Sequence, residues 1–322
     1  MGNLFSVTAK GTESIDHIVR CEEVTARQTY NTLNDLTSYL LVLDVRCSAD
    51  FQKSHIDLAR NAPNIAAMIE AGQESPFTTI VIYGKVMSES ILETFCQQLS
   101  EYRLRDHAGP CKVMYMKDYV SFQVAYPFQC SDSSMFEERR LYPSQITDTI
   151  FLSNFGVASS RKVLQRLGIT HVLNCTKDCP FAGEVVDSAD SVQELTAAIK
   201  SNKEIENSNL DPIEPLPSLS CLRIPVIDEK DQQIHEHFED AIKFLSNMKN
   251  GDRAVIHCKH GQSRSATVTA AFLIHEYQWT SREALIHLKA CRPKVCPNVG
   301  FVEQLEVFEK LLDQKHMSSN MI

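Results

Sequence analysis

The sequence holds no apolar run approaching the ~18 residues that a membrane-crossing helix needs, so no transmembrane segment is expected. It also has no excess of positive charge. Lys and Arg number 32 against 41 Asp and Glu, a formal net charge of -9. Non-specific nucleic-acid binding needs an electropositive surface, so the balance argues against it and no nucleic-acid partner is expected. Cysteine is not scarce, but 11 is an odd count without repeating spacing, so it builds no disulfide framework. The first charged residue is followed by no apolar run, so no secretory signal is read. The thiols are expected to be reduced and the chain cytoplasmic. Cys175 and Cys179 have the spacing of half a zinc site, and no second half follows, so no metal is expected.

What is present fits a soluble globular protein of two domains. The chain has 322 residues, 43% hydrophobic and 23% charged. VTARQTYNTLND (24–35) spaces its apolar residues for a helix. YLLVLDVR (39–46), TTIVIYG (78–84) and CKVMYM (111–116) are near-continuous apolar runs of the kind buried in a parallel sheet, with a helix at SILETFCQQLSEY (90–102). Beyond the polar linker at 132–140 the alternation resumes. TIFLSN (149–154) reads as a short or edge strand. SSRKVLQRLG (159–168) reads as a helix capped by Ser159 and stopped by Gly168. THVLNCT (170–176) is a buried strand, and LRIPVID (222–228) resumes the sheet. HEHFEDAIKFLSNM is an amphipathic helix, and RAVIHC (253–258) is a strand entering a loop. Three helices follow, at SATVTAAFLIHEY, SREALIHLKACR and GFVEQLEVFEKLL. This pattern predicts two open-sheet α/β domains, at 21–131 and 141–313. Residues 1–20 read as a flexible N-terminus and 314–322 as a tail. The polar stretch 183–218 reads as a surface insertion, largely disordered, with a helical turn near VQELTAAIK.

The opening MGNLFS fits the M-G-x-x-x-[ST] pattern of N-myristoylation, with Gly2 as acceptor. One acyl chain binds a membrane weakly and reversibly, and the isolated Lys10 and Arg20 supply no basic cluster as a second signal. Any membrane association is therefore expected to be transient.

The chemistry concentrates in RAVIHCKHGQSRS (253–265). A strand ends on His257-Cys258, the chain turns, and a helix begins near Arg264. Loop N–H groups from Lys259, His260, Gly261, Gln262, Ser263 and Arg264 then converge with a helix N-terminus on one point, which suits a phosphoryl group. The same field lowers the pKa of a thiol, so Cys258 is the candidate nucleophile. Gly261 allows the turn, and Arg264 offers a planar fork for two phosphate oxygens. His257 can hold the arrangement through hydrogen bonds. Ser265 can donate to the sulfur as it leaves the phosphoenzyme. The leaving oxygen also needs a proton donor, and Asp228 and Asp231, after LRIPVI, are both candidates. The strand before them is expected to neighbour the one that ends on Cys258.

H-C-x-x-G-x-x-R-S between strand and helix, with IPVID and the ending CPNVGFVEQL, resembles the cysteine-dependent dual-specificity phosphatases over residues 141–313. The resemblance implies Asp228 as general acid, Cys258 as nucleophile and Arg264 as phosphate clamp, with no cofactor. Two departures stand out: His260 replaces the family's Ala, adding bulk near the pocket, and 183–218 replaces a short connection. LVLDVRCSADFQKSHIDLARNAPNI resembles a rhodanese-like domain, but Gly84 stands where that family has its cysteine, which implies an inactive scaffold. The order of domains resembles the MAP kinase phosphatases and the serine/threonine/tyrosine-interacting-like pseudophosphatases. The expected substrate is a phosphoprotein. A protein kinase partner would be met without the usual Arg-rich docking cluster, because AAMIEAG (66–72) has no basic residue and Arg139-Arg140 reads as a solvated pair. The alternative is a catalytically weak phosphate-binding protein. A third reading, a phospholipid phosphatase, rests on Lys259. Cys175 and Cys221 are both candidates to protect Cys258 from oxidation.

Overall fold

The structure is a computed structural model that describes residues 4–6, 19–35, 38–73, 77–106, 109–131, 141–182 and 219–319. Gly2, the linker 132–140 and the insertion 183–218 lie outside the described residues. The chain divides into two compact α/β units, Met1–Arg139 and Arg140–Ile322. Among the described residues no helix is long and apolar enough to cross a membrane.

In the first unit the strands are β1 (Leu4–Ser6), β2 (Arg20–Glu23), β3 (Leu40–Asp44), β4 (His55–Ile56), β5 (Ala59–Asn61), β6 (Thr79–Tyr83), β7 (Lys112–Met116) and β8 (Cys130–Ser131). The main sheet runs β1-β2-β7-β6-β3-β5, parallel except for β1 against β2. The three long apolar runs supply its middle strands, buried on both faces as their continuous hydrophobicity requires. Alternate residues Leu41, Leu43, Ile80, Ile82 and Val113 face the helix Glu89–Arg105, whose Phe95 and Leu99 complete that core. Leu4–Ser6, within the N-terminal stretch 1–20, pairs antiparallel with β2.

In the second unit β9 (Ser144–Gln145), β10 (Ile150–Asn154), β11 (His171–Asn174), β12 (Ser220–Arg223) and β13 (Ala254–Cys258) form a sheet of order β12-β11-β13-β10-β9. β13 is central and parallel to both neighbours, so Cys258 emerges at the middle of the sheet's carboxyl edge. β10 is flanked by β13 and β9 and is not an edge. The strand leading to Asp228 is the edge strand β12, and it pairs with β11 rather than with β13. It also ends before IPVID, where Pro225 cannot donate to a ladder. Ser160, not Ser159, caps the helix Arg161–Arg166, accepting from the Val163 N–H, while Ser159 closes the preceding turn of helix.

The helix Arg264–Tyr277 is buried at every position from Ser265 to Ile274, which explains why it is apolar all round. Its Ala266, Val268 and Leu273 pack on the sheet face formed by Leu173, Cys175, Ile256 and Cys258. The helix Val299–Ser319 adds Phe301 and Leu305 to that core and runs into the expected tail. Between them lies Ser281–Cys291, started by a reciprocal cap: Thr280 accepts from the Glu283 N–H at 3.2 Å, and Glu283 accepts from the Thr280 N–H at 2.8 Å. Thr280→Ala is expected to cost about 1 kcal/mol. Trp279 is the only tryptophan and packs on Tyr277 and His287, so its fluorescence during urea unfolding reads the change, and an unmoved midpoint would contradict the cap's role.

Candidate active site

The Cys258 side chain is 1% exposed. Its sulfur accepts hydrogen bonds from the Gly261 N–H at 3.2 Å and the Ser265 hydroxyl at 3.1 Å. Burial alone would push the thiol's pKa up. The Ser265 hydroxyl and N–H, the Arg264 guanidinium and the Gln262 N–H outweigh that, and the thiol lies below the ordinary cysteine value. Gly261 has φ +66°, and a Cβ there would sit 2.3 Å from the Ser153 carbonyl oxygen. The glycine is thus required where the loop presses on the end of β10, as well as for the turn itself. The Phe155 N–H donates to the Lys259 carbonyl and ties the same edge.

Arg264 is 12% exposed. Its Nη1 donates to the Val226 carbonyl at 3.2 Å, and its buried Nε has no hydrogen-bond partner among the described residues. Nε lies 3.7 Å from Asp228 Oδ2. A charged guanidinium held by one nitrogen, with a second donor idle beside a buried sulfur, is prepared for an anion. Asp228 Oδ1 accepts from the Ser263 hydroxyl at 2.6 Å and from Asn298 Nδ2 at 3.0 Å. The structure therefore brings Asp228 to the loop. Asp231 is exposed, and its contact there is a backbone carbonyl that accepts from Gln233.

His257 departs from the expectation. Its ring is buried and tilted against Phe155, and Nδ1 lies beside the Cys258 backbone without a hydrogen bond of normal geometry. The ring supports the loop by packing, and the His257 carbonyl accepts from the Cys175 N–H at 2.8 Å. Burial lowers its pKa to about 4, so it is neutral at neutral pH. Lys259 and His260 have exposed side chains, and the contact at His260 is its carbonyl, which accepts from Arg292. Of the two cysteines considered as partners of Cys258, Cys175 lies one residue beyond the Asn174–His257 pair of β11 and β13, on the same buried face. Burial, then the nearby Cys258, keeps its thiol protonated. Cys221 is exposed on the edge strand.

Three residues given no role from the sequence hold the site together. Asn298 donates from its backbone to the Ser263 hydroxyl at 3.3 Å as well as from its side chain to Asp228. Gln304 binds the Gln232 carbonyl at 2.9 Å and accepts from His235, pinning the segment after Asp228. Arg292 donates to the Gly261 carbonyl at 2.8 Å. A Cβ on Gly300 would meet the Lys230 carbonyl at 2.0 Å, so the same segment rests directly on the start of the last helix. For Asn298, Gly300 and Gln304 the signal was the CPNVGFVEQL ending, visible as a pattern but mute about its partners; Arg292 lies outside it. No group of His, Cys, Asp or Glu among the described residues could hold a metal ion.

A central strand that delivers a low-pKa thiol into a loop closed by an arginine and a helix start defines the class of cysteine-loop phosphatase domains. Residues 181–311 match the family model described as dual specificity phosphatase, catalytic domain. Over those residues the chain is similar to a dual specificity phosphatase catalytic domain. A "Probable rhodanese domain-containing dual specificity protein phosphatase" of Dictyostelium discoideum is 32% identical over 209 residues, 62% of this chain and 37% of that protein. A Protein phosphatase Slingshot homolog of Xenopus laevis is 26% identical over 229 residues, 70% of this chain and 27% of that protein. The chain spans about a third of the length of these curated relatives. The crystal structure of human DUSP28 is 22% identical, covers 55% of this chain and 99% of its own, and superposes with a TM-score of 0.42.

The buried His257 predicts a pH dependence. Its folded pKa of about 4 lies below the ordinary 6.5, so between those values the unfolded chain binds a proton that the folded chain refuses. Stability is full above pH 6.5 and is lost as pH falls toward 4, by about 3 kcal/mol in all. Urea midpoints of Trp279 fluorescence across this range should show the loss, and His257→Gln should flatten it. An equal slope in the variant would contradict the assignment.

Proposed function

We propose that the second unit hydrolyses phosphotyrosine and phosphoserine/threonine in a phosphoprotein through a cysteinyl-phosphate intermediate. One observation carries the reading: a buried, hydrogen-bonded Cys258 sulfur shares its cradle with the idle Arg264 Nε, and Asp228 is 3.7 Å from that nitrogen. In this reading the phosphoryl oxygens occupy the loop N–H groups and the Arg264 fork. The Cys258 thiolate forms the S–P bond as the bond from phosphorus to the seryl, threonyl or tyrosyl oxygen breaks, and Asp228 gives that oxygen its proton. Water then attacks phosphorus, Asp228 takes the water's proton, and the sulfur leaves as a thiolate that the Ser265 hydroxyl and Gly261 N–H receive. The binding-only alternative rested on the resemblance to pseudophosphatases and on the bulk of His260, and the exposed side chain of His260 gives the second ground no support.

The first unit is proposed to be a rhodanese-like scaffold. At Gly84, with φ +119°, a Cβ would lie 2.8 Å from both Asp44 Oδ1 and Arg46 Cγ. Tyr115 further fills the loop, its hydroxyl accepting from the Met87 N–H and donating to the Lys85 carbonyl. Gly84→Cys is therefore expected to destabilise this unit and to give no sulfur transfer from thiosulfate to cyanide. Measurable transfer by the variant would refute the closed-loop reading.

The phosphatase reading is tested with p-nitrophenyl phosphate and with phosphotyrosyl and phosphothreonyl peptides. Vanadate-sensitive hydrolysis is expected, abolished in Cys258→Ser and reduced about 10² to 10⁴-fold in Asp228→Asn. Wild-type protein no more active than Cys258→Ser would overturn it.

A further inference from the structure

We propose that Arg292 is a positioning residue for the Cys258 loop: from outside the cradle it grips the carbonyls of His260 and Gly261 and so aims the N–H groups of Gly261 and Gln262 at the sulfur. The proposal deepens the phosphatase reading given above and rests on it. Arg292 follows the helix Ser281–Cys291, and its own N–H is fixed to the Leu288 carbonyl at 2.8 Å. Nε donates to the Gly261 carbonyl at 2.8 Å, Nη2 to the His260 carbonyl at 3.4 Å, and Nη1 to the Ser144 hydroxyl on β9 at 3.3 Å.

The peptide unit makes this grip consequential. It is planar and trans, so its C=O and N–H point in opposite directions. Drawing the His260 oxygen outward turns the Gly261 N–H inward, and drawing the Gly261 oxygen outward turns the Gln262 N–H inward. The inward result is visible on the other side of the loop, where the Gly261 N–H stands 3.2 Å from Cys258 Sγ. The Gln262 N–H is also among the groups that hold the thiol below its ordinary value. The residue so gripped is Gly261, the one with the greatest backbone freedom and a left-handed φ of +66°. Nothing in its own side chain fixes those two peptide planes. A planar fork can span two successive carbonyls and still reach β9, whereas an ammonium offers a single point of attachment. The arginine therefore shapes the field at the sulfur without touching it.

The test compares the full chain with Arg292→Met and Arg292→Lys. Alkylation of Cys258 by iodoacetamide is followed across pH at the Cys258 peptide by mass spectrometry, because Cys47, Cys221 and Cys296 are exposed and react too. Hydrolysis of p-nitrophenyl phosphate and Tm are measured alongside. In Arg292→Met the pH midpoint of alkylation is expected to rise by about one unit. kcat is expected to fall on the order of 10-fold, with the smaller share of the loss in KM. Arg292→Lys should lie between Arg292→Met and wild type in both. Wild-type midpoint and kcat in both variants overturn the proposal, including where Tm falls, since the arginine then contributes stability only. If Arg292→Met does not fold, Arg292→Lys decides by the same readouts. If the wild type hydrolyses no phosphate ester, the phosphatase reading fails, and the alkylation midpoint still decides what Arg292 does.

Discussion

The second unit depends on holding a cysteine thiol of lowered pKa inside a protein core. Cys258 is as buried as the isoleucines beside it, and burying a charge is costly unless hydrogen bonds and opposite charge meet it. The parts of the site answer that one requirement. The turn at Gly261 brings an N–H to the sulfur, Ser265 brings a hydroxyl, and the first residue of the buried helix brings a guanidinium. The turn can be tight because the loop lies directly on the Ser153 carbonyl, where no side chain would fit. β13 must be central for this to work, since the loop is braced by β10 on one side and by the Cys175 N–H to His257 carbonyl bond on the other.

Asp228, the proposed proton donor, is placed by a different part of the chain. Asp228 stands at 37% side-chain exposure on a segment with no strand pairing of its own. It is located by Ser263 of the loop and by Asn298, while Gly300 and Gln304 seat the residues that follow it. The last stretch of the domain thus links the Cys258 loop to the Asp228 segment. The backbone of Cys296 continues the link, its N–H donating to the Gln262 carbonyl at 2.9 Å. The two chemical halves of the site cannot shift independently without breaking these bonds. In the proposed reaction both groups are set in place before substrate arrives, so little ordering is left for the moment of reaction.

The sequence made some of this legible and hid the rest for physical reasons. Strand, loop and helix around Cys258 follow from local rules: an apolar run, a glycine and a polar start to a helix. Hydrophobic periodicity likewise located the middle strands of both sheets. Serine doublets defeat such rules by one residue, which is why Ser160 rather than Ser159 caps its helix. LRIPVID looked like a strand by its apolarity, but Pro225 ends the ladder and the edge position lets the more polar SCLR serve instead. Choice of tertiary partner left no trace in the pattern. Asn298 and Asp228 are 70 residues apart, and Gln304 and Gln232 are 72 apart. Arg292 looked like the end of a helix because it is one, and only the fold shows it against the Gly261 carbonyl. His257 was expected to work by hydrogen bonds; its carbonyl makes one to the Cys175 N–H, while its ring, buried against Phe155, packs.

The central claim is that Cys258 itself accepts the phosphoryl group. The direct measurement is to mix the full chain with p-nitrophenyl phosphate, quench with acid within a single turnover, and locate the phosphoryl group by peptide mass spectrometry. The account predicts a phosphoryl group on the Cys258 sulfur, formed as fast as p-nitrophenol is released and absent in Cys258→Ser. Steady release of p-nitrophenol with Cys258 unmodified, or with the phosphoryl group on another residue, would contradict it.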